Sequence, residues 1–170
     1  MDEPPSKPPP ADPFDVDSID GIVNALYDSV SFAEGTRPNW DRFRSLFDPR
    51  ALMVRVDPRQ TARPPTEREG EPIRASSIDE YVARTTAAID SGALTAFVER
   101  ELTRRTEVFA DVAQVFSTYE RSTPNSEELR RGINSLAMAK DGDRWRIVSL
   151  SWTDETDEGP LPVRYLPRAT

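Results

Sequence analysis

Few side chains in this sequence can do acid–base or binding chemistry. It contains neither cysteine nor histidine. Thiol chemistry, disulfides, the Ser-His-Asp triad and the commonest zinc ligand are therefore excluded. Carboxylates, tyrosines and amides remain. Glu99, Glu101 and Glu107 are interleaved with Arg100, Arg104 and Arg105. They could supply paired carboxylates, but such alternation reads first as a solvated ion-pair ladder on an exposed strand face. Tyr119 and Asn134 could orient a ligand's carbonyl or hydroxyl, or close a hydrogen bond within the core. Trp40 and Trp152 could line an apolar pocket or belong to the core. No Asp-x-Asp-x-Asp-Gly loop is present and the seven glycines form no phosphate cradle, so neither a metal nor a nucleotide cofactor is expected.

These residues must be positioned by recognisable elements. The clearest is a hairpin over residues 131–152, where two alternating runs flank Lys140-Asp141-Gly142-Asp143. Asp-Gly between such runs is a strong hairpin signal. With Asp141-Gly142 as the loop, Met138 faces Trp145, Leu136 faces Ile147 and Asn134 faces Ser149. The other face pairs Ser135 with Val148 and Ile133 with Leu150, and sets Trp152 beside Arg131. Neither face is wholly polar, so one is expected to pack on helices and the other against a second subunit.

Asp17-Ser18 offers an N-cap to a first helix whose apolar residues Ile19, Ile22, Val23, Leu26 and Val30 recur at helical spacing, with Gly35 near its end. Asn39 caps a second helix carrying Trp40, Phe43, Leu46 and Phe47, stopped by Asp48-Pro49. Residues 51–56 form a strand. Residues 59–73 read as a long surface loop, either a lid or disordered. Ser77 and Glu80 match a capping box that opens a third helix. Residues 96–109 and 112–121 are two further strands. A two-residue loop between them would set Glu101 against Glu120 and Arg100 against Arg121. A loop longer by one residue, or a bulge, is expected instead. The layout α-α-β-α-β-β-β-β is an α+β domain over residues 14–156, with helices on one face of a bent antiparallel sheet. Residues 1–13, rich in proline, read as a disordered tail, and residues 157–170 as a loosely docked one.

Net charge is −8. That balance opposes binding to nucleic acid or to an anionic membrane. With no secretory signal and no apolar run of about 20 residues, a cytoplasmic protein is expected.

VFSTYERS (residues 115–122) and GINSLAMAKDGDRWRIVSLSW (residues 132–152), behind the helix–helix–strand opening, resemble the SnoaL-like branch of the nuclear transport factor 2-like superfamily. The resemblance spans about residues 14–156. It implies a cone-shaped barrel of strongly bent sheet packed on three helices, with a small-molecule pocket between them and homodimers formed through the sheet. It is specific for fold and weak for activity, because this fold hosts isomerases, dehydratases and non-catalytic binders alike. Val56-Asp57-Pro58 is similar to the Asp-Pro that holds the general base in steroid isomerases of the fold, which makes Asp57 the expected base. Tyr27 lies near the position of their oxyanion-hole tyrosine. The matching late-strand acid is replaced by apolar Leu136 or its neighbours, so half of that oxyanion hole is absent. Cofactor-free acid–base catalysis on a small apolar compound is one expectation. A protein-interaction or ligand-carrier module is the other.

Overall fold

The computed structural model describes residues 7–124 and 126–168 of the chain. Local side-chain signals place the helices. A short helix α1 (Pro13–Val16) is capped by Asp12, and α2 (Ile19–Val30) by Ser18, whose hydroxyl accepts from the Gly21 amide at 3.0 Å. α2 buries Ile22, Val23, Leu26 and Val30 on one face. It ends before the expected Gly35, because Phe32 leaves to exchange backbone hydrogen bonds with Phe97. Asn39 caps α3 (Trp40–Ser45) as expected. α4 (Pro58–Thr61) is one turn, and α5 (Ile78–Asp90) opens on the full Ser77–Glu80 capping box. Among the described residues, no helix is long and apolar enough to cross a membrane.

Among the described residues, six strands form one sheet: β1 (Phe47–Val56), β2 (Ile73–Ser77), β3 (Val98–Phe109), β4 (Val112–Thr123), β5 (Ser126–Asp141) and β6 (Arg144–Asp154). Their order is β2-β1-β6-β5-β4-β3, with β1 and β6 parallel and every other pair antiparallel. The α+β class holds, with one parallel pair in place of a wholly antiparallel sheet. β1 starts before the expected Asp48-Pro49 stop. Residues 59–73 are shorter as a loop than expected, since α4, a 3-10 turn at Pro65–Glu67 and the start of β2 occupy much of them. Residues from α2, α3 and α5 (Ile22, Leu26, Phe43, Val82) meet Val115, Leu136, Ile147 and Leu150 of the sheet in a single core.

Two register changes decide which side chains face inward. In the β5–β6 hairpin, Asp141 pairs with Arg144, so Gly142 and Asp143 form the turn, one residue later than expected. Gly142 takes φ +65° at the first central position, which suits a type II′ rather than a type I′ turn. A further shift between Ala137 and Met138 puts Leu136 opposite Leu150 and Asn134 opposite Trp152. Leu150 is buried in the core rather than on the outer face, which is less apolar than expected.

In the β3–β4 hairpin, Phe109 pairs with Val112 around a two-residue turn. The predicted like-charge clash is relieved by a bulge at Leu102, which sets Glu101 against Tyr119, Arg100 against Glu120 and Glu99 against Arg121. Arg100 and Glu120 then form an ion pair at 2.7 Å.

The folded unit extends beyond residues 14–156 at both ends. Ala11 packs on the core. At the other end a 3-10 turn, Val163–Tyr165, docks on the outer face of β4, where Thr118 donates to the Tyr165 carbonyl at 2.6 Å and the Phe116 and Tyr165 rings lie 5.7 Å apart. These contacts lie within the segment expected to dock loosely, of which residues 169–170 lie outside the described residues. Of the expected N-terminal tail, residues 1–6 lie outside the described residues.

Candidate functional site

Between the helices and the inner sheet face lies a cavity of about 260 Å³, just below the ~300–1,000 Å³ usual for ligand pockets. Leu26, Val30, Phe43, Met53, Phe97 and Leu150 make its apolar lining. Tyr81 of α5 links the helical and sheet walls: its ring stacks on Phe43 at 5.6 Å and meets Trp152 edge-on at 6.1 Å. Trp40 sits behind this wall, edge-on to Phe43 and Tyr81, and does not line the cavity. It packs against the core.

The polar lining is concentrated on the sheet. Glu99, Tyr119, Arg121 and Asn134 face the cavity, with Tyr27 opposite on α2 and Arg55 of β1 towards the outside. Glu99 Oε1 accepts from Asn134 Nδ2 at 2.8 Å. Burial pushes the Glu99 carboxyl up to about 7, against the opposing pull of the Asn134 hydrogen bond and the Arg121 charge. Asp154 faces Tyr119 and Arg121. It accepts from the Tyr119 hydroxyl at 2.6 Å and from Arg121 Nη2 and Nε at 2.6 and 3.1 Å. Burial acts to raise Asp154, but these hydrogen bonds prevail and hold it below the usual carboxylate range. Tyr119 itself is driven upward by burial and by the Asp154 charge, so it stays a neutral donor. Gly132 permits this arrangement: a Cβ there would lie 2.2 Å from the Thr153 carbonyl and 2.3 Å from the Tyr119 hydroxyl.

The other polar side of the cavity begins at Asn134 Nδ2, which also donates to the Tyr27 hydroxyl at 3.1 Å. Tyr27 contacts Ser117 Oγ at 2.7 Å, and Ser117 donates to Glu101. Glu101 is held by Arg104 at 2.6 Å, and Arg104 reaches Asp20 at 2.9 Å. Burial and the nearby Glu99 charge raise the Tyr27 hydroxyl above its ordinary value.

The structure therefore brings together four of the residues singled out from the sequence: Tyr27, Tyr119, Asn134 and Trp152. It does not bring Asp57 to them. Asp57 Oδ1 caps α4 by accepting from the Arg59 amide at 3.0 Å, and the side chain lines a separate, more polar outer groove. A carboxylate committed to a helix cap outside the cavity is not where the expected base would stand. Glu99 is the carboxyl that lines the cavity. The run of acidic and basic residues on β3 read as a solvated ladder, and Glu107 is indeed exposed, but Glu99 and Glu101 turn inward. The signal that could have revealed them was the like-charge clash: the bulge that relieves it also selects the face. Among the described residues, no group of three or more potential ligands is placed to hold a metal.

No protein-family model matches the chain, and no curated protein matches it. Solved structures do. A candidate dehydratase of the NTF2-like family from Streptomyces avermitilis aligns with a TM-score of 0.57 at 16% identity, over 84% of this chain and 96% of that one. Hexachlorocyclohexane dehydrochlorinase LinA-type3 from Novosphingobium barchaimii LL02 gives 0.57 at 11% identity, over 79% and 82%. A candidate ketosteroid isomerase from Parabacteroides distasonis ATCC 8503 gives 0.52 at 11%, over 83% and 91%. The chain has the nuclear transport factor 2-like fold, and at these identities the likeness is one of fold alone.

Proposed function

We propose that this protein binds a small, largely apolar molecule in the inner cavity and moves a proton on it, with Glu99 as the acid–base group and no cofactor. The observation that carries this reading is a carboxyl held near neutrality on the wall of an aromatic and aliphatic cavity. A base is most effective when its pKa lies near the working pH, and burial is the usual means of raising a carboxylate that far. Trp152, Tyr81 and the aliphatic lining favour an apolar body. Asn134 and Tyr119 orient groups beside it.

Isomerisation, elimination and cyclisation can each proceed by removal of a proton from carbon next to an activating group. The names of the structural neighbours, a dehydrochlorinase and candidate dehydratase and isomerase, fall in that range, as does the SnoaL-like resemblance. A homodimer through the outer face of β5 and β6, in the cytoplasm, belongs to the same proposal. The convex surface left beside Val163–Tyr165 includes Ile133 and Val148 for that contact.

Deuterium exchange tests the proposal without knowledge of the product. Small apolar ketones and β-substituted compounds are incubated with the protein in heavy water, and label at carbon is read by NMR. Wild type and Asp57→Asn are expected to exchange one compound class, and Glu99→Gln to lose at least 100-fold in rate, the low end of what positioned acid–base groups contribute (~10²–10⁴-fold). Exchange that survives Glu99→Gln but not Asp57→Asn overturns the assignment.

A second reading has its own observation. Val108, Phe109 and Val112 at the tip of the β3–β4 hairpin are exposed, Phe109 by 82%. An apolar tip of this kind suits a protein-interaction module. Binding of a partner chain that is lost with Phe109→Ser, in a protein with no exchange activity, would favour that reading.

A further inference from the structure

We propose that Glu101 is a positioning residue for Glu99, acting through a directional hydrogen-bond chain that runs by way of Ser117, Tyr27 and Asn134. This rests on the reading of Glu99 as the acid–base group and adds what holds it in its working state.

The direction follows from counting protons. An ionised carboxylate can only accept, so Ser117 donates to Glu101. That uses the single hydroxyl proton of Ser117. At the 2.7 Å contact with Tyr27, Ser117 must accept and Tyr27 must donate. The Tyr27 oxygen then receives one amide hydrogen of Asn134 at 3.1 Å, and the other goes to Glu99 at 2.8 Å. Each donor in the chain is thus committed to the next residue along it, and the remaining Asn134 hydrogen holds the Glu99 carboxylate. Tyr27 is thus not free to donate to a ligand, in contrast to the oxyanion-hole role the resemblance implied.

The chain has a second possible sense. If the group at position 101 donated to Ser117, then Ser117 would donate to Tyr27 and Tyr27 to a reversed Asn134 amide. The Asn134 oxygen would then face Glu99, which could bond to it only when protonated. The two senses correspond to the two protonation states of Glu99.

Arg104 makes the test sharp. Its Nε and Nη2 both hold Glu101 Oε1, at 2.7 and 2.6 Å, and leave Oε2 to Ser117. In Glu101→Gln, Arg104 can be satisfied only by the amide oxygen. The amide NH₂ must then face Ser117 and drive the chain into its second sense. The leucine bulge makes this possible: in an unbroken strand, residues 101 and 104 would lie on opposite faces, whereas here Glu101 and Arg104 both point inward.

The charged and titratable groups that face Glu99 are Arg121 and Tyr119 from β4, Asp154 from β6, Arg55 from β1, Tyr27 from α2 and Tyr81 from α5. None changes in Glu101→Gln. Removing the negative charge of Glu101 would by Coulomb's law lower the Glu99 midpoint, so the hydrogen-bond chain and simple electrostatics predict opposite signs.

The experiment is a carboxyl ¹³C NMR titration of the ligand-free full chain, with Glu99 assigned by Glu99→Gln. Glu101→Gln is expected to raise the Glu99 midpoint by about one pH unit, the scale of one charge-assisted hydrogen bond. Ser117→Ala, which frees the Tyr27 hydroxyl to turn, is expected to raise it too, and the double variant no further. A lowered or unmoved midpoint in Glu101→Gln overturns the proposal. So does an unmoved midpoint in Ser117→Ala, which decides alone if Glu101→Gln does not fold. Since no substrate is used, failure here is distinct from failure of the exchange assay.

Discussion

Glu99 and Arg121 stand opposite each other in the β3–β4 ladder, yet the Arg121 guanidinium turns to Asp154. The near-neutral carboxyl depends on that diversion. Asp154→Asn removes a like charge that raises Glu99 and releases the guanidinium towards it, so both effects act in one direction. The Glu99 midpoint, about 7 in the parent, is expected to fall by one pH unit or more on the scale of a close ion pair (~1–3 units). Carboxyl ¹³C NMR reads the shift. A midpoint that stayed put would mean Arg121 does not reach Glu99.

Stability carries the same signature. Glu99 titrates near 7 when folded and in the ordinary carboxylate range when unfolded. Between those values the folded state binds more protons, so this group's contribution declines as pH rises from about 4.5 to above 7. Glu99→Gln lacks the titration. Its urea-unfolding free energy relative to wild type is expected to improve across that window, by up to about 3 kcal/mol. Equal pH dependence in the two proteins would show that Glu99 is not perturbed.

Gly132→Ala tests how closely the site is packed. Its new methyl would overlap the Thr153 carbonyl, a backbone atom with nowhere to retreat. A loss of about 3 kcal/mol or more in chemical denaturation is expected, at the upper end of overpacking costs. The displaced Tyr119 would also weaken ligand binding.

Ser77→Ala removes one half of the capping box that starts α5, the helix carrying Tyr81 to the cavity. A loss of about 1 kcal/mol in thermal or urea unfolding is expected, with Glu99 titration unchanged. A change in that titration would mean that α5 shifts as a body.

The caps at Ser18, Asn39 and Ser77 were legible in the sequence because each is decided within three residues. So were the helical stripe of α2 and the existence of the β3–β4 and β5–β6 hairpins, though not their registers or the pairing of β1 with β2 and β6. The inward turn of Glu99 was not, because it depends on where β3 breaks step with β4. That is settled by Arg100 meeting Glu120 some twenty residues away. Likewise the turn at Gly142 and the shift after Ala137 bring Asn134 beside Trp152 rather than Ser149. A bulge of one residue moves every side chain beyond it to the other face, as it does for Leu150 and Trp152, and Asp57 stood out only by analogy with other proteins of the fold.

The extra residue at Leu102 has a consequence for how such a site could arise. A strand is a two-beat rhythm, and one inserted residue changes its phase upstream of the insertion. Had β3 kept step from its hairpin end, Val98, Arg100 and Leu102 would point inward and both glutamates would meet solvent. A single insertion thus exchanges an arginine for two carboxylates in the interior without substituting any residue. In this fold, lengths as well as letters write the chemistry of the cavity.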